Sequence, residues 1–291
     1  MMKKVSAANR NALVMQSVMG QVRHPTTKEL PYRIDCEGKA WMLPNTGAIV
    51  YNVKIGDSVY GWAGDHIEPG VTIKNPDSVE NRGLNNLVCV GNQAKVITGD
   101  AKGAKGFVTG THGGVEHVLC YFPQDALEQM TMLDYIQVRS WGQGMRLEGF
   151  EDSIHVMNLD PDLYDRLNAE TDGEKLYLPV AAKVPPYLMG SGIGEPSTHH
   201  GDYDIMTEDW ETICRLGLDH LRFGDLVLLE DCDNTYGRGY KKGACSVGIV
   251  MHSDCIRMGH GPGVTTLFTA KMPLIEGIMD PHANLADLMG V

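Results

Sequence analysis

Short apolar runs broken by glycine dominate the chain. Ala48 to Val53, Ala94 to Thr98, Gly103 to Thr109 and Val115 to Phe122 gather small and β-branched residues and end at turn residues. That composition and length predict strands. Tyr135 to Ser140 alternates apolar with polar, so it predicts a strand with one wet face. Lys175 to Ala182, Leu226 to Leu229, Ala244 to His252 and Val264 to Thr269 continue the pattern, and Asn85 to Val90 also reads as β-like. Ser58 to Trp62, after the turn Lys54-Ile55-Gly56-Asp57, predicts the second arm of a hairpin with Ala48 to Val53. Residues 11–22 fit either an amphipathic helix or a strand.

Helical signals are fewer. Gln124 to Leu133 has apolar residues on one helical face, and Leu159 to Leu167 opens on Asp160-Pro161, a helix-start pair. Thr207 to Leu216 predicts a helix with Thr207 as its N-cap, and Ala283 to Met289 a short helical tail. Strands and helices do not alternate, which argues against a parallel βαβ sheet. The expected fold class is mostly β, a β-rich α+β protein of several small barrel-like or sandwich-like parts with a few inserted helices. At about 150 residues per domain, the length implies a β-rich N-terminal domain, residues 1–150, and a C-terminal β-rich domain with inserted helices, residues 151–291.

Composition narrows the function. The net charge of -12 and pI near 5.3 repel phosphate backbones, so no nucleic-acid partner is expected. The seven cysteines are scattered and form no Cys-x-x-Cys pair, which predicts reduced, mostly buried thiols. Asn9, Arg10 and Asn11 interrupt any apolar signal-peptide core after the basic start, and no run approaches the roughly 20 apolar residues of a membrane span. These features predict a cytoplasmic protein with no membrane partner, and base rates predict a homo-oligomer.

The candidate chemistry lies in three glycine-flanked loops. Gly61-Trp62-Ala63-Gly64-Asp65-His66-Ile67-Glu68-Pro69-Gly70 puts three ligand-type side chains within four positions. In extended chain His66 and Glu68 share a face. Gly110-Thr111-His112-Gly113-Gly114 offers a second imidazole, and Thr198-His199-His200-Gly201-Asp202 a third cluster. Divalent ions take imidazole nitrogen and carboxylate oxygen gathered from separate loops. The expected site therefore has His66, Glu68 and His112 as ligands to a divalent metal ion such as Zn or Mn. Asp65, His199 and His200 are the expected catalytic bases or donors. Arg238, Lys242 and His260 are the expected substrate-binding residues, the two cations for an anionic group.

Two resemblances bear on this reading. Gly110-Thr111-His112 is similar to part of the His-Gly-Thr-His-x-Asp motif of kynurenine formamidase-type metal cyclases, although Gly114 stands where that motif has Asp. Asn52-Val53-Lys54-Ile55-Gly56-Asp57, the stretch from Gly61 to Gly70, and Gly259-His260-Gly261-Pro262-Gly263-Val264-Thr265 resemble a bacterial domain-of-unknown-function family of the DUF4438 type. That resemblance spans most of the chain and implies a compact, mostly β protein of small barrel-like parts, with no settled activity. The residues themselves favour a metal-dependent hydrolase or related lyase acting on a small polar amide, lactone or cyclic substrate. A non-catalytic ligand-binding or assembly protein and a metal-free acid/base isomerase are the alternatives. The absence of a Gly-x-Ser-x-Gly elbow lowers the serine-hydrolase reading.

Overall fold

A computed structural model gives the architecture and describes residues 2–26, 32–191 and 199–291. Six antiparallel strands of the first half are β1 (Gln16–Val22), β2 (Gly70–Lys74), β3 (Gln93–Val96), β4 (Lys105–His112), β5 (His117–Tyr121) and β6 (Tyr135–Ser140). They pair in the order β1-β6-β3-β4-β5-β2, and β2 pairs back onto β1, which closes a barrel. Closure leaves no free edge within these six strands. Alternation decides which residues enter. In β6, Ile136, Val138 and Ser140 point in, while Gln137 and Arg139 face solvent. Val22, Ile73, Val96, Val118, Ile136 and Val138 fill the barrel. Each fully buried aliphatic side chain contributes roughly 1.5–3 kcal/mol.

The second half is built on β7 (His155–Val156), β8 (Ala182–Val184), β9 (Tyr203–Asp204), β10 (Leu226–Asp233), β11 (Gly239–His252) and β12 (Gly263–Ala270). The order is β7-β12-β11-β10-β8, with β9 also on β12, and only β8 runs parallel to its neighbour. A smaller sheet joins Lys3–Lys4, Glu170–Thr171, Leu176–Val180 and Ile275–Met279. The first residues of the chain are thus stitched to the second half, as the bond from Val5 N to Ala169 O (2.9 Å) also shows. The larger core takes Val53, Ile55, Val59 and Phe107 from the first half, so the two halves share packing.

Three local expectations change. Residues 78–87 form a helix, where a β-like run from Asn85 was expected. Three asparagines and Gly83 depress intrinsic helicity there. The helix is held by Asp77 as N-cap and by Leu84, which enters the barrel core. Asn81 and Asn85 both donate to Glu116 O. The segment 58–62 is no hairpin arm: Val59 N bonds Leu221 O at 3.1 Å, so the second half supplies its partner. The helix Trp210–Arg215 is capped by Asp209, whose carboxylate accepts from Thr212 N, while Thr207 donates to Asp254 Oδ1 at 2.6 Å.

Candidate functional site

The barrel meets the second sheet where β4 crosses β11 and β12. Thr111 N donates to Thr265 Oγ1 (3.0 Å), and Thr265 Oγ1 donates to Thr111 O (3.1 Å). A Cβ on Gly110 would stand 2.6 Å from Met251 Cβ, so only glycine lets the backbones come this close. This contact carries His112, the last residue of β4, against His252, the last residue of β11. Their rings stack at 4.4 Å between centroids.

His66 arrives from the long loop before β2. Ile67 N donates to Ser253 Oγ and Ser253 N to Ile67 O, which zips this loop onto the end of β11. His66 has φ 55, in the left-handed region that non-glycine residues rarely occupy. Such strain gathers at functional sites, because surrounding contacts must hold it. The His66 ring lies 4.9 Å from His252, 5.7 Å from His112 and 5.4 Å from His260.

Each imidazole is oriented through Nδ1. His66 Nδ1 bonds Asp65 Oδ1 at 3.0 Å, and the other Asp65 oxygen takes Arg33 Nε at 2.6 Å. His112 Nδ1 bonds Glu68 Oε1 at 2.5 Å. Glu68 also accepts from Gly47 N, Thr72 Oγ1 and His117 Nδ1, so both its oxygens are engaged. His252 Nδ1 donates to Ser253 O at 2.8 Å, and His260 Nδ1 bonds Asp204 Oδ2 at 2.7 Å. His252 Nε2 faces Asp202 Oδ2 at 3.0 Å and Asp204 Oδ1 at 3.5 Å. Asp202 is itself fixed by Gly113 N at 2.9 Å. One ligand atom from each of His66, His112 and His252 lies within 4.8 Å of the others; Asp202, Asp204 and His252 form a second such group, and His66, Cys255 and His260 a third.

Burial sets the protonation of this cluster. Burial pushes the His66 imidazole down to about 4, against the partial support of Asp65, so it is neutral near pH 7. Burial raises the Glu68 carboxyl, but His117 and His112 outweigh it and hold the group well below the usual range. For His252 burial favours the neutral ring, yet Asp202 and Asp204 outweigh it and raise its pKa well above the usual value.

The structure brings together His66, His112 and His260 from among the residues the sequence singled out. Asp65 and Glu68 stand behind the imidazoles: with both oxygens of each engaged they orient the rings, where the sequence suggested a base and a ligand. Burial, and then the neighbouring His200 and His155, lower the His199 pKa. His199 and His200 precede Asp202 on the strand side of the loop and are half-buried. Arg238 does not present its guanidinium to the cluster. Nη1 donates to Asp202 O (3.1 Å), Nη2 donates to Ser191 O, and the group lies over the Tyr203 ring. Lys242 is exposed, ten residues back along β11 from His252, on the order of 30 Å of extended chain. Sequence reasoning gave no site role to His252, Asp202, Asp204 or His117, although Asp202 lies in the third candidate cluster. The one signal for His252 was its place at the end of an apolar strand.

Known proteins place the chain in a family. Family models match residues 32–165, as the N-terminal domain of DUF4438, a domain of unknown function, and residues 166–289, as its C-terminal domain. The chain belongs to the DUF4438 family. It is similar to the crystal structure of TM1086 at 44% identity, with a TM-score of 0.91, over 96% of this chain and 97% of that one. No curated protein matches it.

Proposed function

We propose that this protein is a metal-dependent hydrolase, or a related lyase, of a small polar amide, lactone or cyclic substrate. The observation that carries the proposal is the convergence of His66, His112 and His252, whose ligand atoms lie within 4.8 Å of one another. Two features of the donor set fit a divalent ion. The Nδ1 atoms of His66 and His112 are tied to carboxylates, which leaves Nε2 as the donor on each ring. Carboxylate–imidazole pairs of this kind orient ligands and raise their basicity in metal sites. Asp65, Glu68 and Asp204 are also buried, with Arg33 ion-paired to Asp65 alone, so positive charge is wanted at the centre. Imidazoles with carboxylates suit Zn, Mn or Fe better than Ca or Mg.

When bound, such an ion would supply Lewis-acid polarisation of a substrate carbonyl and of water. The chain's own residues then divide the work. His66 and His112 would hold the ion, and His252 would join them on loss of the proton that Asp202 and Asp204 favour on its Nε2. Asp65 and Glu68 would fix the first two rings, and Asp202 and Asp204 would border the reacting space. A metal-free acid/base isomerase draws on one observation, the raised pKa of His252 between two aspartates, which makes its imidazolium a proton donor. Element analysis of purified protein, followed by turnover of an amide and lactone panel with and without chelator, tests the proposal. A stoichiometric ion and activity lost to chelator are expected. Hydrolysis of the panel that persists in the ion-free protein overturns the ion's role, and isomerisation without hydrolysis supports the isomerase reading.

A further inference from the structure

One trio at the edge of the cluster has geometry that the ion reading does not use. Asp204 Oδ2 lies 2.7 Å from His260 Nδ1, and His260 Nε2 lies 3.0 Å from Ser191 Oγ. With Nδ1–H donating to the carboxylate, Nε2 is left as the acceptor for the serine hydroxyl proton. A hydroxyl within hydrogen-bond reach of an imidazole, itself oriented by a buried carboxylate, is the arrangement that activates a serine nucleophile. His260 is also the most open imidazole of the group. Its side chain is 19% exposed, against 9% for His66, 6% for His112 and 0% for His252.

Ser191 is held from three sides. Gly190 N bonds Asp204 O (2.8 Å), Ser191 N bonds Gly259 O (2.5 Å), and Arg238 Nη2 donates to Ser191 O. A Cβ on Gly190 would come within 2.6 Å of Asp204 O, so glycine is what permits the serine to lie this close to its carboxylate strand. The expectation that Arg238 binds an anionic substrate is thereby replaced: the guanidinium fixes the backbone on which Ser191 rides. Both ring nitrogens of His260 are engaged within this trio, which assigns it to proton transfer.

We infer that Ser191 is an acyl-accepting nucleophile with His260 as its base and Asp204 as the positioning carboxylate. The inference rests on the reading of this pocket as hydrolytic, though not on the presence of an ion. The Ser191 Oγ–H attacks the carbonyl carbon of an ester, lactone or activated amide, and its proton passes to His260 Nε2. The bond to the leaving group breaks, and that group departs with the proton from His260. Water then attacks the acyl-serine, gives its proton to His260, and releases the carboxylic acid with Ser191 restored. The sum is one acyl compound and one water giving an acid and the leaving group.

The probe is an alkyl fluorophosphonate, which phosphonylates an activated serine with loss of fluoride, read by intact mass and peptide mapping. One adduct on Ser191 is expected in the wild-type chain and none in Ser191→Ala. In His260→Gln labelling should slow by about 100-fold or more, within the range that general-base assistance supplies. Circular dichroism of each variant separates loss of the nucleophile from loss of the fold. Labelling that survives chelation keeps the relay even where no ion binds. A folded protein that takes up an ion and forms no adduct, or one labelled equally fast in His260→Gln, overturns the relay and leaves the ion reading intact.

Discussion

The imidazole cluster has a barrel side and a sheet side, and they are wired differently. On the barrel side, His66 and His112 each give Nδ1 to one carboxylate and keep Nε2 turned inward. On the sheet side, carboxylates meet His252 at Nε2 and His260 at Nδ1, and the remaining nitrogen of each ring is bonded to Ser253 O or Ser191 Oγ. The first pattern holds lone pairs ready for a cation; the second moves protons. His252 stands at the seam and belongs to both. Burial alone does not decide what an imidazole does. The position of its nearest carboxylate, at the nitrogen facing the centre or at the one facing away, decides more.

The sharpest way to break the comparison is to remove the barrel side. His66→Ala with His112→Ala should abolish stoichiometric ion uptake and turnover while circular dichroism stays that of a folded barrel. Ion retained in the double variant would contradict the division. One layer further out, Glu68→Gln or Asp65→Asn should weaken ion affinity by about 10–100-fold, as loss of an outer carboxylate typically does. Competition against a chromophoric chelator measures that shift. Unchanged affinity would mean that these carboxylates serve the fold alone.

A smaller effect tests how the two sides are held together. Gly110→Ala inserts a methyl where Met251 Cβ would lie at 2.6 Å, and overpacking of that kind costs about 1–3 kcal/mol. A lowered denaturation midpoint, with ion affinity reduced as the sides part, is the expected outcome. Far from the site, Glu276 pairs with Lys183 and Lys175, all about a third exposed or more, and Lys183 first and then Lys175 lower its pKa. A depressed carboxylate adds stability above its unfolded pKa near 4.5 that is lost as pH falls. Glu276→Gln should therefore cost under about 1 kcal/mol at pH 7 and converge on the wild type in acid. A large loss at neutral pH would show that surface charge matters more here than the buried seam.

Much of the strand framework was legible in the chain. Tyr135–Ser140 was expected residue for residue, because its alternation matches a barrel wall with one wet face. Asp160-Pro161 marked the start of a real helix for the same local reason, a cap and a fixed φ. Where pairing is non-local, the sequence was silent. Ser58 to Trp62 looks extended, but its partner Leu221 is more than 150 positions away. The site follows the same rule. His66 and His112 stood out because glycines flank them, whereas His252 sits at the end of an apolar strand, with nothing beside it to suggest that Asp202 and Asp204 meet its ring. That Asp65 and Glu68 would face the backs of the imidazoles depends on φ 55 at His66 and on the register of β4 against β5, neither of which is local.

Anomalous diffraction from crystals grown with zinc or manganese tests the central claim most directly. A single strong peak at about 2.0–2.2 Å from inward nitrogens of His66, His112 and His252 is the predicted result. A peak elsewhere, or none at this seam in crystals that demonstrably carry the ion, would contradict it.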